Sequence, residues 1–173
     1  MMNTDLKIPF LIAECRRWVG VMEIGGANKG QLVERWQKTV DGVSSAESWC
    51  MCFVQHHLAW TDKLFYEVGG NASFTKVFKS EHCLTVWNKT PKEMRSDVPK
   101  PGAIAIWQHK NTTAGHTGLV SSVVPSQRKF LCIEGNTGPG DGVVREGDGV
   151  FEKSRSMDGA GEMKLLGFIV PWI

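Results

Sequence analysis

The stretch Ser44-Ser45-Ala46-Glu47-Ser48-Trp49-Cys50-Met51-Cys52-Phe53-Val54 decides how the rest of the chain is read. It ends a polar, Gly-containing approach and opens an apolar run. Trp49, Phe53, Val54, Leu58 and Trp60 recur near the i, i+4 spacing of a buried helix face. Ser44, Ser45, Glu47 and Ser48 are N-cap and first-turn residue types. The spacing therefore predicts a core helix from about Trp49 to Val68, with Cys50 in its first turn. At a helix start, unpaired backbone N–H groups and the positive end of the dipole favour thiolate over thiol. Cys50 is thus a candidate nucleophile, and its N–H a candidate oxyanion donor, with Ser48 as a second. A buried cysteine ordinarily serves as a small, inert hydrophobe, so the assignment turns on finding a base elsewhere.

Upstream, Leu6 to Val21 reads as a helix, with Ile8, Leu11, Ile12, Cys15, Trp18 and Val19 on one face. Glycines 20, 25, 26 and 30 break it into a loop. That loop is no phosphate cradle, because no strand precedes it and no Gly-Lys-Ser/Thr ends it. Gln31 to Val40 is a second helix, with Leu32, Val33 and Trp36 inward. Downstream, Gly69-Gly70-Asn71 closes the central helix, and Phe74 to Trp87 reads as a further one stopped before Pro91. At Pro99 the texture changes to short strands: Ala103–Trp107, His116–Val124, Lys129–Glu134, Val150–Arg155 and Lys164–Val170. Helices first and antiparallel strands after is the pattern of an α+β domain.

With 173 residues the chain is expected to form one domain, helical over about 5–90 and sheet over about 101–173. Its net charge of +2 and its lack of a Lys/Arg cluster argue against nucleic acid as a partner. No apolar run approaches membrane-spanning length, and no secretory signal is visible, so synthesis in the cytoplasm without a signal peptide is expected. Five cysteines in no regular framework suggest reduced thiols rather than disulfide staples.

His116 is the candidate base. It stands where a polar loop, Lys110 to Gly115, enters a strand, so the sheet holds its backbone while its ring reaches toward the helix start. Glu134 and Asn136 close the partner strand and, two apart, share a face. With the hairpin loop taken as Pro125–Gln127, Val124 pairs with Arg128. His116 then lies opposite Asn136 and diagonal to Glu134. A loop of even length would flip that parity. A Cys–His pair needs a third group to orient the ring. Glu134 is preferred because it carries charge, with Asn136 as backup or second support.

Four segments occur in an order that resembles the cysteine, histidine-dependent amidohydrolase/peptidase (CHAP) family, related to the NlpC-type peptidases. They are Ser48-Trp49-Cys50-Met51-Cys52-Phe53-Val54, Pro101-Gly102-Ala103-Ile104-Ala105-Ile106-Trp107, Gly115-His116-Thr117-Gly118-Leu119-Val120 and Ile133-Glu134-Gly135-Asn136-Thr137. The Glu23–Gly30 loop and the Phe168-Ile169-Val170-Pro171-Trp172 end are similar to single-domain phage and prophage, endolysin-like members. The resemblance implies a papain-like fold and cleavage of a stem-peptide amide in bacterial peptidoglycan, by an endopeptidase or N-acetylmuramoyl-L-alanine amidase. It implies Cys50, His116, Glu134 and Asn136 as site residues, a monomer, and action at the cell wall after release. Two departures are visible: no separate wall-binding domain, and no clear match before Cys50 to the calcium-binding acidic loop of some members.

Trp49 and Trp107 flank the expected site and are candidates to line a groove. Cys52, about 200° around the helix from Cys50, is expected in the core. Neither the Cys50/Cys52 pair with His56 and His57 nor the His82-Cys83 dipeptide has the matched second pair of a structural zinc site. No metal or cofactor is therefore expected, and His56, His57, His82 and His109 read as surface or satisfied residues. Two other function classes keep the fold: a wall-binding module gripping glycan through its tryptophans, and a papain-like effector acting on a protein.

Overall fold

The computed structural model describes residues 4–69, 74–110, 112–142 and 147–172. Gly70 and Asn71, named in the sequence reading, and Asn111 of the loop Lys110 to Gly115 lie outside them. The helices are α1 (Thr4–Arg16), α2 (Gln31–Asp41), α3 (Cys50–Glu67) and α4 (Cys83–Lys89). The strands are β1 (Arg95–Ser96), β2 (Ile104–His109), β3 (Gly115–Val124), β4 (Lys129–Thr137), β5 (Gly149–Ser156) and β6 (Met163–Ile169). They form one antiparallel sheet of order β1-β6-β2-β3-β4-β5. The chain is thus α+β, helices first and sheet after.

Alternation along the strands sorts the sheet into two buried sets. Ile104, Ile106, Leu119, Ile133, Val150 and Ile169 face the helices and join Trp49, Phe53, Val54 and Leu58 of the α3 region. Ala105, Trp107, Val120, Phe130, Cys132 and Phe168 form a second cluster on the opposite face. α3 is the central helix, with both Cys50 and Phe65 buried along its length. It presses on β4 where Gly135 has no side chain. A Cβ there would lie 2.6 Å from the Trp49 ring and 2.9 Å from Phe53 Cβ.

Three details differ from the sequence reading. The first helix ends at Arg16, not Val21, because the following backbone turns to β5: Gly20 N–H donates to the Val150 carbonyl and Val150 N–H to the Val21 carbonyl. The expected helix Phe74–Trp87 is broken into a 3-10 turn, Phe74–Lys76, and α4. Between them the carbonyls of Phe78 and Ser80 accept from Gln55 Nε2 of α3, at 2.9 and 3.0 Å, in place of helical N–H groups. The start of α3 also lacks the expected side-chain cap: its N-cap is Trp49, which makes none.

α1 is tied to α3 by a buried ion pair, Lys7 to Asp62, whose Oδ1 also accepts the Phe74 N–H at 3.2 Å. The Lys7 ammonium lies 4.3 Å from the centre of the Phe74 ring. Removing one member of a buried pair strands the other away from water. Asp62→Ala is therefore expected to destabilise the fold by about 3–5 kcal/mol, read as the shift in a urea unfolding curve.

Candidate active site

Cys50 is the first residue of α3, and the approach to it is held from two sides. Glu23 accepts the Trp49 indole N–H and the Asn28 N–H, both at 2.8 Å, which ties the Gly-rich loop to the helix start. Buried Gln37 of α2 donates to the Glu47 carbonyl at 2.7 Å and accepts from Ser44 Oγ at 2.5 Å. The segment that first read as a set of capping residues instead packs as a loop braced by Gln37.

On the sheet side, β3 carries His116 and β4 carries Glu134. The hairpin between them differs from the expected one. Arg128 takes a left-handed conformation, φ +49, so the connection is four residues long and Val124 pairs with Lys129. An even loop flips the parity, but an irregularity between Val120 and Ser122 flips it back. Beyond it Val120 pairs with Cys132 and Leu119 with Ile133. Extending that register sets Gly118 opposite Glu134 and leaves His116 diagonal to it. The diagonal is bridged by side chains: His116 Nε2 lies 2.8 Å from Glu134 Oε2. The empty space at Gly118 makes this possible, since a Cβ there would lie 2.6 Å from Glu134 Cγ.

Glu134 is fully buried and shared. Arg155 of β5 donates to it through both Nε and Nη2, each at 2.6 Å. Arg155 is itself 1% exposed and 5.7 Å from the Trp107 ring. Burial alone would raise the Glu134 carboxyl, but hydrogen bonds from Arg155 and then His116, with their charges, outweigh it and hold the group at about 2. Burial would lower His116, and hydrogen bonds to the Cys50 sulfur and to Glu134 reverse that, holding the ring at about 9. Since Nε2 faces Glu134, Nδ1 is the atom left for the sulfur.

The Cys50 thiol is pushed well below the usual range. The largest cause is its hydrogen bond with Cys83, followed by the hydrogen bond and charge of His116 and the Met51 backbone N–H, against an opposing effect of burial. The two shifts run in the directions that favour a thiolate at Cys50 beside a protonated His116. The linkage to stability has a definite sign. Glu134, depressed, contributes stability in full above about 4.5, lost as pH falls through about 2. His116, raised, contributes in full below about 6.5, lost as pH rises through about 9. Cys50, depressed, gains contribution over that same alkaline interval, so the pair's two effects oppose each other there.

Cys50 opens on a groove of about 260 Å³ that is also lined by Glu47, Ser48, Glu81, Cys83 and the loop residues Thr113 to Gly115, the last of them next in sequence to His116. Asn136 is half-buried with φ +53, at the irregularity between Glu134 and Thr137, and its side chain makes no hydrogen bond among the described residues. Trp49 and Trp107 are both 0% exposed and packed in the core, so neither lines the groove, contrary to expectation. Cys52 is buried, its thiol pushed up first by burial, then by the charge of Cys50 and after it by Glu81, Glu47 and Asp41. His57 is also buried, its Nδ1 2.7 Å from the Phe53 carbonyl oxygen and its Nε2 without a partner among the described residues, so it is not a surface residue. Among the described residues one set of potential metal ligands comes together, Glu47, Cys52 and Glu81, within 4.8 Å.

Arg155 was not singled out from sequence, where it reads as one of several charged residues in a short strand. Cys83 was seen only as a zinc candidate. In comparisons with known proteins, the family model described as CHAP domain matches residues 40–136, more than half of the chain. No curated protein and no solved structure matches. The matched segment contains Cys50, Cys83, His116 and Glu134 and ends at Asn136, whereas Arg155 lies beyond it.

The close approach at Gly118 gives a direct test. An added methyl would meet Glu134 Cγ and Cys132 Sγ, both at 2.6 Å, and the Ile133 carbonyl oxygen at 2.8 Å. Gly118→Ala is expected to lower unfolding free energy by about 1–3 kcal/mol through overpacking, measured by chemical denaturation.

Proposed function

The chain belongs to the CHAP family, and from that premise we propose that it is a cysteine peptidase or amidase that cleaves an amide of the peptidoglycan stem peptide. The observation that carries this reading is the buried relay Arg155–Glu134–His116–Cys50 opening on a groove. A pure glycan-binding module needs no such relay. The catalytic unit takes in β5 as well as the segment matched by the family, because Arg155 fixes Glu134. Its place of work is the cell wall. No described helix is long and apolar enough to cross a membrane.

The chemistry follows from the charges. The Cys50 thiolate attacks the amide carbonyl carbon, and the carbonyl oxygen takes up negative charge beside the N–H groups at the start of α3, which no side-chain cap occupies. The C–N bond breaks as His116 passes its proton to the leaving amine. Neutral His116 then takes a proton from water, whose oxygen attacks the thioester and releases the acid. Glu134 and Arg155 keep the ring oriented and stabilise its charged form.

Zymography on purified sacculi, with mass spectrometry of the released muropeptides, tests the proposal. Cys50→Ala and Cys50→Ser are expected to abolish lysis with folding intact, and Cys52→Ser to retain most of it. Lysis by the Cys50 variants would overturn the assignment of the nucleophile. Hydrolysis of proteins but not of sacculi would point to an effector instead.

The pH profile tests the relay. Lysis is expected to fall as pH rises through about 9, where His116 loses the proton that the leaving amine needs. Glu134→Gln removes the charge that raises His116, so its alkaline limb should move to lower pH, with a rate loss on the order of 10² to 10³. Asn136→Ala should lose less. A larger loss for Asn136→Ala would make Asn136 the orienting group.

A further inference from the structure

Cys83 is the first residue of α4 and buried, and its sulfur lies 3.6 Å from the Cys50 sulfur. The two helices that deliver these sulfurs are joined by the Gln55 side chain, which holds the carbonyls of Phe78 and Ser80 just before α4. Cys83 also lines the groove on which Cys50 opens. We propose that Cys83 is a positioning residue for the nucleophile: its S–H donates to the Cys50 sulfur and holds that sulfur charged and aimed into the groove. The inference rests on the reading of Cys50 as nucleophile.

The direction of donation follows from what surrounds each sulfur. Cys50 has His116 and the Met51 N–H beside it, so it is the one that carries the charge. Cys83 is held up as a thiol, first by this same hydrogen bond and then by burial and by the Cys50 charge. The Cys50 thiolate thus accepts from three sides: Cys83 S–H, His116 and the Met51 N–H. When the sulfur attacks a carbonyl its charge leaves, and the Cys83 S–H keeps its proton throughout. Cys83 neither gains nor loses an atom in the reaction. A purely structural Cys83 would fill the same space without touching the titration of Cys50.

The test uses the full chain and the rate of iodoacetamide alkylation of Cys50 against pH, located by peptide mass spectrometry, in wild type, Cys83→Ala and Cys83→Ser. Loss of a hydrogen bond to a charged group should raise the Cys50 titration in Cys83→Ala by about one pH unit. Cys83→Ser, which keeps a donor, should stay close to wild type. A more basic thiolate is also more nucleophilic, so on the alkaline plateau Cys83→Ala should react about threefold faster. The two profiles cross, and a mere packing defect would not make them do so. An unshifted Cys83→Ala profile, or a Cys83→Ser profile shifted as far as that of Cys83→Ala, overturns the proposal. If Cys83→Ala fails to fold, wild type alone still decides. Cys50 must be alkylated near neutral pH before Cys83, and equal or faster modification of Cys83 overturns the assignment. None of these readouts needs wall hydrolysis. A protein that shifts as expected yet leaves sacculi intact keeps the role of Cys83 and loses the proposed substrate.

Discussion

A buried carboxylate needs partners, and everything at this site follows from how Glu134 finds its own. It has no access to water, so its charge is held only by hydrogen-bonded cations. Arg155 donates two bonds to it from one side, and His116 Nε2 meets it from the other. Arg155 alone would satisfy the charge, leaving His116 as an ordinary buried imidazole. The shared Oε2 makes the ring part of the ion cluster, which is why His116 is held up at about 9 while buried His57, whose Nδ1 meets a carbonyl oxygen, is pushed down to about 3 by burial. The same burial thus has opposite outcomes at two histidines, and the neighbouring charge decides between them.

That cluster depends on strand parity. Side chains alternate faces along a strand, so one residue gained or lost in the hairpin sends His116 and Glu134 to opposite faces. The connection between β3 and β4 is even, which alone would separate them. The irregularity at Ser121 adds the residue that restores the match. Ser121 Oγ is itself bonded to Glu152 at 2.5 Å, and Glu152 to Arg16 at 2.7 Å, which fixes the bulge against the end of α1. The bulge is therefore part of the site's construction, although it lies two turns of the pleat away from the chemistry.

Much of this was legible in the sequence, for reasons that differ by residue. Cys50 was legible because an apolar period begins at Trp49, and periodicity marks a helix start. His116 and Glu134 were legible because they end strands whose apolar runs are clear. Their correct diagonal relation was reached from a three-residue loop that does not exist, and the bulge at Ser121 cancels that error. Nothing local announces either feature, since Arg128 in a left-handed conformation and a doubled residue in β3 are settled by tertiary pairing. The break before α4 was hidden for a similar reason, because its carbonyls are claimed by Gln55, some 23 residues away. Trp49 and Trp107 misled because large aromatic rings beside a site serve the core as readily as a groove.

The division of labour between helix and sheet has a physical consequence. A thiolate and an imidazolium side by side attract, and on flexible supports they would close on each other and leave substrate no room. Here each is carried by a separate rigid element: Cys50 by the start of α3, His116 by β3, with Gly135 setting how closely helix and sheet approach. The sulfur and the ring interact from these separate supports, and Cys50, 4% exposed, lines the groove, while His116 is 8% exposed. Desolvation strengthens the pair, and the backbone, not the charges, sets its spacing. In the reaction proposed above, a substrate carbonyl meets a nucleophile whose geometry is fixed before it arrives, which is the condition under which electrostatic preorganisation lowers a barrier.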